Sequence, residues 1–323
     1  MHRILFIAPS RIGDAVLSTG VLAELCRRYP DARVTVACGP VARQVFETHP
    51  QLEQLTVLRK RKFAGHWLGL WARVAWRRWT FAIDLRRSAL PWLLLARHRA
   101  VAAKGERGTH RVETYAHTLR LEQPPRPTVW LRARDRERAD KLLGGAKSVL
   151  AIAPTANWPA KVWPADRLAE LVARLTAADG PLPNAAVFIT GGPNEQEQAQ
   201  PVIDAVSPDR RVAAVGLDLA TTAAVFERCR LFIGNDSGLM HLAAAAGAPT
   251  VGLFGPTDAT AYAPVGRATR VVRTPESAVE LVCKDDFDHR TAGSQMTSLR
   301  VDTVETTVLD LLANTQRGAA SDA

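Results

Sequence analysis

Short apolar runs alternate with longer amphipathic stretches in the first part of the chain. Residues 4–8 are apolar, residues 15–29 carry apolar side chains at helical spacing, and residues 33–37 alternate as a strand does. A strand, a loop, a helix and a second strand in this order predict a βαβ unit. Further strands are predicted at residues 54–58 and 81–85, so we expect a parallel sheet here.

A second series of the same kind begins at residue 148. An apolar strand at residues 148–153 is followed by an amphipathic helix at residues 165–178. Each later strand is a short apolar run bounded by glycine, proline or aspartate, which is typical of buried parallel strands. These further strands are predicted at residues 186–190, 212–215, 231–233 and 250–254.

The two series predict an α/β protein with two doubly wound domains facing across a cleft. We place the first domain at residues 1–147 and the second at residues 148–300. Residues 301–313 have the pattern of an amphipathic helix, and we expect residues 301–323 to pack back on the first domain. Ligands of such sheets bind beyond the carboxyl ends of the strands, where each series carries its most unusual loop.

The charge of the chain is unevenly distributed. Residues 1–147 contain 28 Lys and Arg against 12 Asp and Glu, whereas the remaining residues contain 14 against 20, which gives +16 and −6 of the total of +10. The excess in the first part predicts an anionic partner, such as nucleic acid, a phosphorylated substrate or a membrane surface. The alternative is that a high arginine content only reflects the base composition of the gene.

Several classes of protein are disfavoured by what the sequence lacks. The longest apolar run, residues 90–96, is far shorter than the roughly 18–20 residues that a membrane span requires. The apolar run at residues 4–8 is too short for a secretory signal. The cysteines form no CxxC pair, which argues against a zinc site or a disulfide framework and favours a cytoplasmic protein. They are Cys26, Cys38, Cys229 and Cys283.

The segment from Gly234 to His241 is the strongest local signal in the sequence. A strand ends at Gly234 and a helix begins near Ser237, so free backbone N–H groups and the positive end of the helix dipole point at one place. This arrangement predicts a cradle for a phosphate or diphosphate, and Gly238 allows the ligand to approach the backbone closely. The alternative is an N-capped helix, with Asp236 or Ser237 as the cap, that binds no ligand.

Two other loops of the second series carry polar residues suited to a nucleotide. Thr155 can donate a hydrogen bond to a phosphate, and Lys161 can bring a mobile ammonium to a diphosphate. Glu195 follows the strand at residues 186–190 and could accept hydrogen bonds from ribose hydroxyls. The alternatives are a solvated lysine and a carboxylate that only favours a helix dipole.

The first series offers a carboxylate and a basic, tryptophan-rich segment. Asp14 follows the first strand, where it could act as a general base or simply cap the next helix. The same loop has no G-x-G-x-x-G pattern, so a nucleotide-dependent oxidoreductase is disfavoured. Residues 59–79 combine four tryptophans with basic residues, which suits membrane head groups or a phosphorylated glycolipid. The alternative is a helix that buries its tryptophans, and no nucleic-acid-binding module is present.

Seven motifs that span nearly the whole chain occur together in this sequence. They are residues 4–14 with the Arg-Ile-Gly-Asp loop, Asp84-Leu85-Arg86, His110-Arg111-Val112, residues 154–164, Gly191 to Glu195, Gly234 to His241, and Gly255-Pro256-Thr257-Asp258. In combination they resemble glycosyltransferase family 9, the ADP-heptose lipopolysaccharide heptosyltransferases. The resemblance implies a GT-B fold with two Rossmann-like domains, the acceptor on the first and the ADP-sugar on the second. The segment from Cys283 to Met296 departs from the family pattern.

The resemblance also implies a role for each matching residue. Asp14 would deprotonate the acceptor hydroxyl, Lys161 would assist catalysis as a diphosphate ligand, and Glu195 would bind the ribose. Acceptor binding is expected at basic residues of the first domain, which are Arg11, Arg61, Lys62 and Arg86. The remaining donor-binding residues are expected to be Thr155, Asp236, Ser237, Gly238, Leu239, Met240 and His241.

The expected function is that of an inverting glycosyltransferase that needs neither a metal nor another cofactor. It would move a heptose from ADP-heptose to a lipopolysaccharide inner-core acceptor. We expect a cytoplasmic protein at the inner face of the inner membrane, without a nucleic-acid partner. Two alternatives stay open: another nucleotide-sugar donor for a cell-surface glycan, and a non-catalytic relative that only binds nucleotides.

Overall fold

The computed structural model describes residues 1–60, 62–106, 108–283, 288 and 292–321, and for residues 316–321 it describes the backbone alone. Arg61 therefore lies outside the described residues, as does part of the segment between Cys283 and Met296. The chain divides into two compact units, Met1–Arg132 and Ala133–Ala323. The division comes before the charged segment at residues 133–147, which the sequence analysis had assigned to the first domain.

The first unit is a five-stranded parallel sheet with helices between its strands. Its sheet order is β3-β2-β1-β4-β5, so the chain reverses its direction of winding between β1 and β4. The strands are β1 (Arg3–Ile7), β2 (Arg33–Cys38), β3 (Leu52–Val57), β4 (Trp79–Asp84) and β5 (Ala96–Val101). The helices are α1 (Ile12–Arg28), α2 (Arg43–Phe46), α3 (Gly65–Val74) and α4 (Arg111–Thr118).

The second unit repeats this plan around a six-stranded parallel sheet. Its sheet order is β11-β10-β9-β6-β7-β8, with the reversal between β6 and β9. The strands are β6 (Val149–Ala153), β7 (Ala186–Ile189), β8 (Arg211–Ala213), β9 (Leu231–Asn235), β10 (Thr250–Phe254) and β11 (Thr269–Arg273). The helices are α5 (Ala133–Leu143), α6 (Ala165–Thr176), α7 (Gln196–Ala205), α8 (Leu219–Glu227), α9 (Gly238–Ala246), α10 (Ala259–Tyr262), α11 (Ala278–Val282) and α12 (Val301–Ser321).

The central strands are buried on both faces, as the apolar runs predict. All five residues of β6 and β9 are buried, and the interior residues of β1 are inaccessible to solvent. The prediction of two doubly wound α/β units is therefore confirmed. Two edge strands, β5 and β11, are absent from the sequence-based prediction. Both carry arginines, because an edge strand needs to bury only part of its surface and charges there discourage pairing with other chains.

Helix α12 completes the core of the second unit. Val304, Val308 and Leu311 are at most 1% exposed and pack with the core residues of α6. Arg174 on α6 reinforces the contact through ion pairs with Asp302 and Glu305 at 3.0 and 2.7 Å. These contacts place α12 in the second unit, whereas the sequence analysis expected it to pack on the first domain.

The described helices include none that is both long enough and apolar enough to cross a bilayer.

Candidate functional site

The reversal of winding places the unusual loops of each unit at one point of its sheet. In the first unit, Asp14 follows β1 and Arg86 follows the neighbouring strand β4. In the second unit, Lys161 follows β6 and Asp236 follows the neighbouring strand β9. Loops at such a point diverge and leave a crevice beyond the strand ends, which is where doubly wound sheets bind their ligands.

The first unit has an open pocket of about 460 Å³ at this position. A pocket of this volume accommodates a small ligand or one portion of a larger one. Its charged lining residues are the cations Arg86, Arg87, Lys104 and Arg111 and the single carboxylate of Asp14. The excess of positive charge suits a ligand that carries phosphate or carboxylate groups.

Asp14 is held in this pocket by two residues of α4. The Asp14 Oδ1 atom lies 3.5 Å from Arg111 Nε and accepts a hydrogen bond from the Tyr115 hydroxyl at 3.4 Å. Its side chain remains 19% exposed, so a ligand in the pocket can reach it. The N-cap position of α1 belongs to Arg11, which makes no side-chain capping bond. Asp14 thus faces α4 in the first turn of α1 and is not the N-cap of that helix.

Arg86 enters the pocket from a turn that a buried carboxylate holds together. Asp84 is 0% exposed and accepts hydrogen bonds from the backbone N–H groups of Arg86 and Ser88, both at 2.7 Å. The Arg86 guanidinium lies 4.9 Å from the centre of the Trp67 ring, and burial lowers its pKa. Its Nη1 atom is buried and has no hydrogen-bond partner among the residues described. A buried donor of this kind is suited to an anionic ligand.

The structure brings together only some of the predicted acceptor residues. Arg86 lines the same pocket as Asp14, whereas Arg11 and Lys62 are exposed and do not line it. Arg111, Tyr115 and Lys104 also line the pocket, and no role was predicted for them. The missed signal is the spacing of His110 and Glu113, which form a capping box at the start of α4. That helix start places Arg111 and Tyr115 four residues apart, on one face.

In the second unit, Lys161 and Asp236 form an ion pair between the loops after β6 and β9. The Lys161 Nζ atom lies 2.8 Å from Asp236 Oδ2, and the two side chains are 17% and 8% exposed. The same ammonium lies 5.7 Å from the centre of the Trp158 ring. Lys161 is therefore a partly buried, paired cation, which overturns the alternative of a solvated loop lysine.

Asn235 ties these two loops together. Its side-chain amide donates to the Pro154 carbonyl at 2.9 Å, and its side-chain oxygen accepts from the Trp163 backbone N–H at 3.1 Å. Asn235 is 1% exposed, so both bonds are shielded from water. The loop that carries Lys161 is consequently fixed relative to the strand end that carries Asp236.

The N-cap residue of α9 does not cap the helix with its side chain. Ser237 occupies the N-cap position in extended backbone conformation, but its side chain makes no capping bond. Its hydroxyl is buried and has no partner among the described side chains and backbone. Leu239 and Met240 have buried side chains, and the Met240 sulphur packs at the position of Gly252. Leu239 and Met240 would therefore contact a ligand at the helix N-terminus through their backbone N–H groups and not through their side chains.

Thr155 and Glu195 lie near each other, in the loops that follow β6 and β7. The Thr155 hydroxyl is buried and has no described partner, and Glu195 accepts a hydrogen bond from the Gly192 N–H at 2.7 Å. A Cβ atom on Gly191 would lie 2.9 Å from Thr155 Oγ1 and 3.4 Å from Glu195 Oε2. Gly191 therefore keeps open the space between these two polar side chains. His241, also predicted to bind the donor, is 3% exposed in the second turn of α9.

The described residues contain no group of three or more His, Cys, Asp or Glu side chains that could hold a metal ion.

Residues 79–289 match the sequence model of glycosyltransferase family 9 (heptosyltransferase). The chain belongs to glycosyltransferase family 9. This family-9 protein is thus a glycosyltransferase. The matched range contains Arg86, Lys161 and Asp236 and begins after Asp14, so the family model does not cover the carboxylate of the first unit.

Relatives and solved structures similar to this family-9 chain agree with the assignment. Lipopolysaccharide heptosyltransferase 2 of Salmonella typhimurium is 24% identical over 316 residues, which cover 84% of this chain and 88% of the relative. A family 9 glycosyltransferase structure from Veillonella parvula aligns with a TM-score of 0.77 at 22% identity and 97% coverage of both chains. ADP-heptose heptosyltransferase II of Escherichia coli aligns with a TM-score of 0.76 at 20% identity, covering 98% of this chain and 100% of that one. The fold is GT-B.

Proposed function

We propose that this family-9 enzyme transfers a heptose from ADP-heptose to a lipopolysaccharide core acceptor, with inversion and without a metal ion. The observation that carries the proposal is the group of buried polar atoms around Lys161. The ammonium, the hydroxyls of Thr155 and Ser237 and the open N-terminus of α9 converge beyond one sheet edge. Support for the sugar comes from the similar heptosyltransferases, one of whose solved structures contains ADP.

The donor would bind with its diphosphate at the N-terminus of α9. Backbone N–H groups there, the Ser237 and Thr155 hydroxyls and the Lys161 ammonium offer donors to the phosphate oxygens. Glu195 would accept hydrogen bonds from the ribose, while Asp236 and His241 would lie near the sugar and phosphates. Transfer builds negative charge on the departing ADP, and a fixed ammonium with a helix dipole stabilises that charge in the role often given to Mg²⁺.

Asp14 would act as the general base of the first unit. As the acceptor oxygen forms its bond to the anomeric carbon, the hydroxyl proton moves to the Asp14 carboxylate. The bond from that carbon to the diphosphate oxygen breaks on the opposite face, and the electron pair leaves with ADP. One displacement of this kind inverts the anomeric configuration. Arg111 and Tyr115 would orient the carboxylate through the contacts that they make with Asp14 Oδ1.

The acceptor would occupy the cationic pocket of the first unit. Arg86, Arg87, Lys104 and Arg111 suit the anionic groups of an inner-core glycolipid. With a glycolipid acceptor, the enzyme would act at the cytoplasmic face of the inner membrane as a peripheral protein. We assign it no nucleic-acid partner and no cofactor.

Calorimetric titration of the purified protein with ADP, UDP and GDP in the presence of EDTA tests the donor assignment. We expect ADP to bind and the other two diphosphates to bind at least about tenfold more weakly, a difference of about 1.4 kcal/mol. Preferential binding of UDP or GDP would overturn ADP-heptose as the donor, and the absence of binding would overturn the assignment of the α9 site. A dependence of ADP binding on added Mg²⁺ would contradict metal independence.

A further inference from the structure

Exposed apolar side chains are concentrated in one part of the first unit. Ten large apolar side chains are exposed among the residues described, and six of them lie between residues 63 and 95. Contiguous exposed apolar surface on a folded protein marks a site of interaction. The six residues are Phe63, Leu68, Trp76, Trp92, Leu93 and Leu95. We refer to α3, the segment at residues 89–95 and the edge strand β5 as the α3–β5 face.

The segment at residues 89–95 is fixed in a conformation that presents its apolar side chains outwards. Leu90 and Leu94 are 4% exposed and anchor it in the core, whereas Trp92, Leu93 and Leu95 are 63–67% exposed. Its backbone is held from two neighbouring elements. On β5, Arg99 donates to the Pro91 carbonyl at 3.0 Å and to the Leu94 carbonyl at 2.8 Å, and on α3, the Trp71 indole N–H donates to the Leu93 carbonyl at 3.3 Å.

Helix α3 adds to the same face. Leu70 and Val74 are 1% exposed and join the core cluster that also contains Leu90 and Leu94. Leu68 on the opposite side of α3 is 67% exposed, and Trp76, just after the helix, is 85% exposed. Two adjoining elements of the face, α3 and the segment at residues 89–95, therefore share a core and direct apolar side chains away from it.

The sequence that forms this face is strongly positive. Residues 54–105 contain 12 Lys and Arg and one acidic residue, Asp84, a net of +11 compared with +10 for the whole chain. Asp84 is 0% exposed, and its carboxylate is bonded to backbone N–H groups, so it presents no negative charge to solvent. Arg73, Arg78 and Arg97 are exposed on or beside the elements of the face.

The geometry points to an anionic lipid bilayer as the partner of the α3–β5 face. We propose that Trp92, Leu93 and Leu95 enter the boundary between head groups and acyl chains while the surrounding arginines and lysines bind the head groups. A nucleic acid would use the positive charge but would leave the exposed leucines without a role. The inference rests on the proposed function for its biological setting, since a glycolipid acceptor resides in such a surface.

Vesicle flotation with the full-length protein tests the apolar part of this surface. We expect binding to phosphatidylcholine vesicles that contain about 30 mol% phosphatidylglycerol, and little binding to pure phosphatidylcholine. The triple variant W92A/L93A/L95A should bind at least about tenfold more weakly, because it removes the inserting side chains. The matched control V279A/L309A removes exposed apolar side chains of the second unit and should bind within about twofold of the parent protein.

Charge reversal tests the electrostatic contribution of the α3–β5 face to vesicle binding. R73E/R78E/R97E should also weaken binding at least about tenfold, whereas K141E/K147E, which reverses two exposed lysines of the second unit, should have a clearly smaller effect. Thermal unfolding midpoints close to that of the parent protein would show that each variant is folded. Raising the salt concentration should weaken the binding of the parent protein.

Three results would overturn the proposal. They are equal binding to neutral and anionic vesicles, no binding to either, and equal loss in the test and control variants. Loss on charge reversal alone, together with equally tight binding of a DNA duplex, would identify a nucleic-acid surface instead. The vesicles contain neither donor nor acceptor. The flotation result is therefore independent of the ADP titration and of turnover with a delipidated acceptor, so the membrane proposal and the proposed function can fail separately.

Discussion

The two units offer a ligand different kinds of groups. The first unit offers an open pocket whose cations stand on long side chains, such as Arg87 and Lys104, around one carboxylate. The second offers a helix N-terminus, buried hydroxyls and an ion pair, on loops that the hydrogen bonds of Asn235 tie together. Fixed backbone groups suit a ligand that does not vary, whereas long charged side chains adapt to ligands of different shape. Under the proposed function, donor specificity would reside in the fixed groups of the second unit and acceptor specificity in the long charged side chains of the first.

The largest effect is expected from removing the carboxylate of the first unit. Asp14→Asn should lower turnover by about 10²–10⁴-fold, because the acceptor hydroxyl loses its general base. ADP affinity should stay unchanged, because the proposed donor site lies in the second unit. Asp31→Asn, which changes an exposed carboxylate of the first unit, is the control. Steady-state kinetics with calorimetry would separate the two roles, and turnover within tenfold of the parent enzyme would exclude Asp14 as the base.

Lys161→Ala should have the next largest effect and should act on the donor side. Loss of the ammonium is expected to raise the transition-state free energy by about 2–4 kcal/mol, as removal of a single oxyanion donor does. It also leaves the buried Asp236 without its cation, so the thermal unfolding midpoint should fall. Measurement of kcat/KM for the donor and of the ADP Kd checks this, with Lys147→Ala as the control. A change below tenfold would remove Lys161 from the catalytic residues.

Acid perturbs the first unit at His49, a residue that does not line the pocket. His49 is 5% exposed, its Nδ1 atom accepts a hydrogen bond from the Gln51 N–H at 3.1 Å, and its ring packs against Trp130. Burial lowers the pKa of His49 from 6.5 to about 4, so the imidazole is neutral in the folded chain at pH 7.

The sign of the pH dependence follows from this pKa. Between about pH 6.5 and pH 4 the unfolded chain binds the proton and the folded chain does not, so stability falls as the pH falls. The contribution lost by pH 4 is up to about 3 kcal/mol. Urea unfolding at pH 7 and near pH 4.5, followed by tryptophan fluorescence, should show the loss. His49→Gln should reduce it, and an equal loss in that variant would assign the effect to other groups.

Tyr115→Phe should give the smallest effect. It removes one hydrogen bond to Asp14 Oδ1 and leaves the contact with Arg111, so kcat should fall by about three- to tenfold, which corresponds to about 0.5–1.5 kcal/mol. KM for the donor should not change, since Tyr115 lies in the first unit and the proposed donor site lies in the second. A general loss of structure would instead change kcat, KM and the unfolding midpoint together. Tyr262→Phe in the second unit is the control.

Burial explains how much of the fold could be predicted. Strand β6 is apolar from end to end, and β1 and β9 are apolar apart from Arg3 and Asn235 at their ends, because both faces of these strands are covered. This pattern is visible in the sequence. The edge strands β5 and β11 carry no such signal, because their polar residues face solvent. The division before residue 133 was also not predicted, because α5 is strongly polar and only its contacts with α8 reveal its unit.

The candidate site, like the fold, could be predicted from the sequence only in part. Lys161 and Asp236 were both expected to bind the donor, yet their ion pair was not predicted, because it depends on β6 and β9 being neighbours. Arg111 and Asp14 are 97 residues apart in the chain, and the contact depends on the packing of α4 against α1. Local sequence identifies residue types suited to a chemistry, whereas partners across a sheet edge follow from topology.

The hydroxyls of Thr155 and Ser237, which have no hydrogen-bond partner among the described residues, link the stability of the second unit to ligand binding at its candidate site. Each is a buried group without a protein partner in the described part of the chain, so a ligand that hydrogen-bonds to it would bind the folded state and not the unfolded one. Such binding raises stability by RT ln(1 + [L]/Kd), which is about 2.7 kcal/mol at a hundredfold excess over Kd. The amount of folded protein that persists under heat or proteolysis therefore rises with the concentration of the molecule that fills this site.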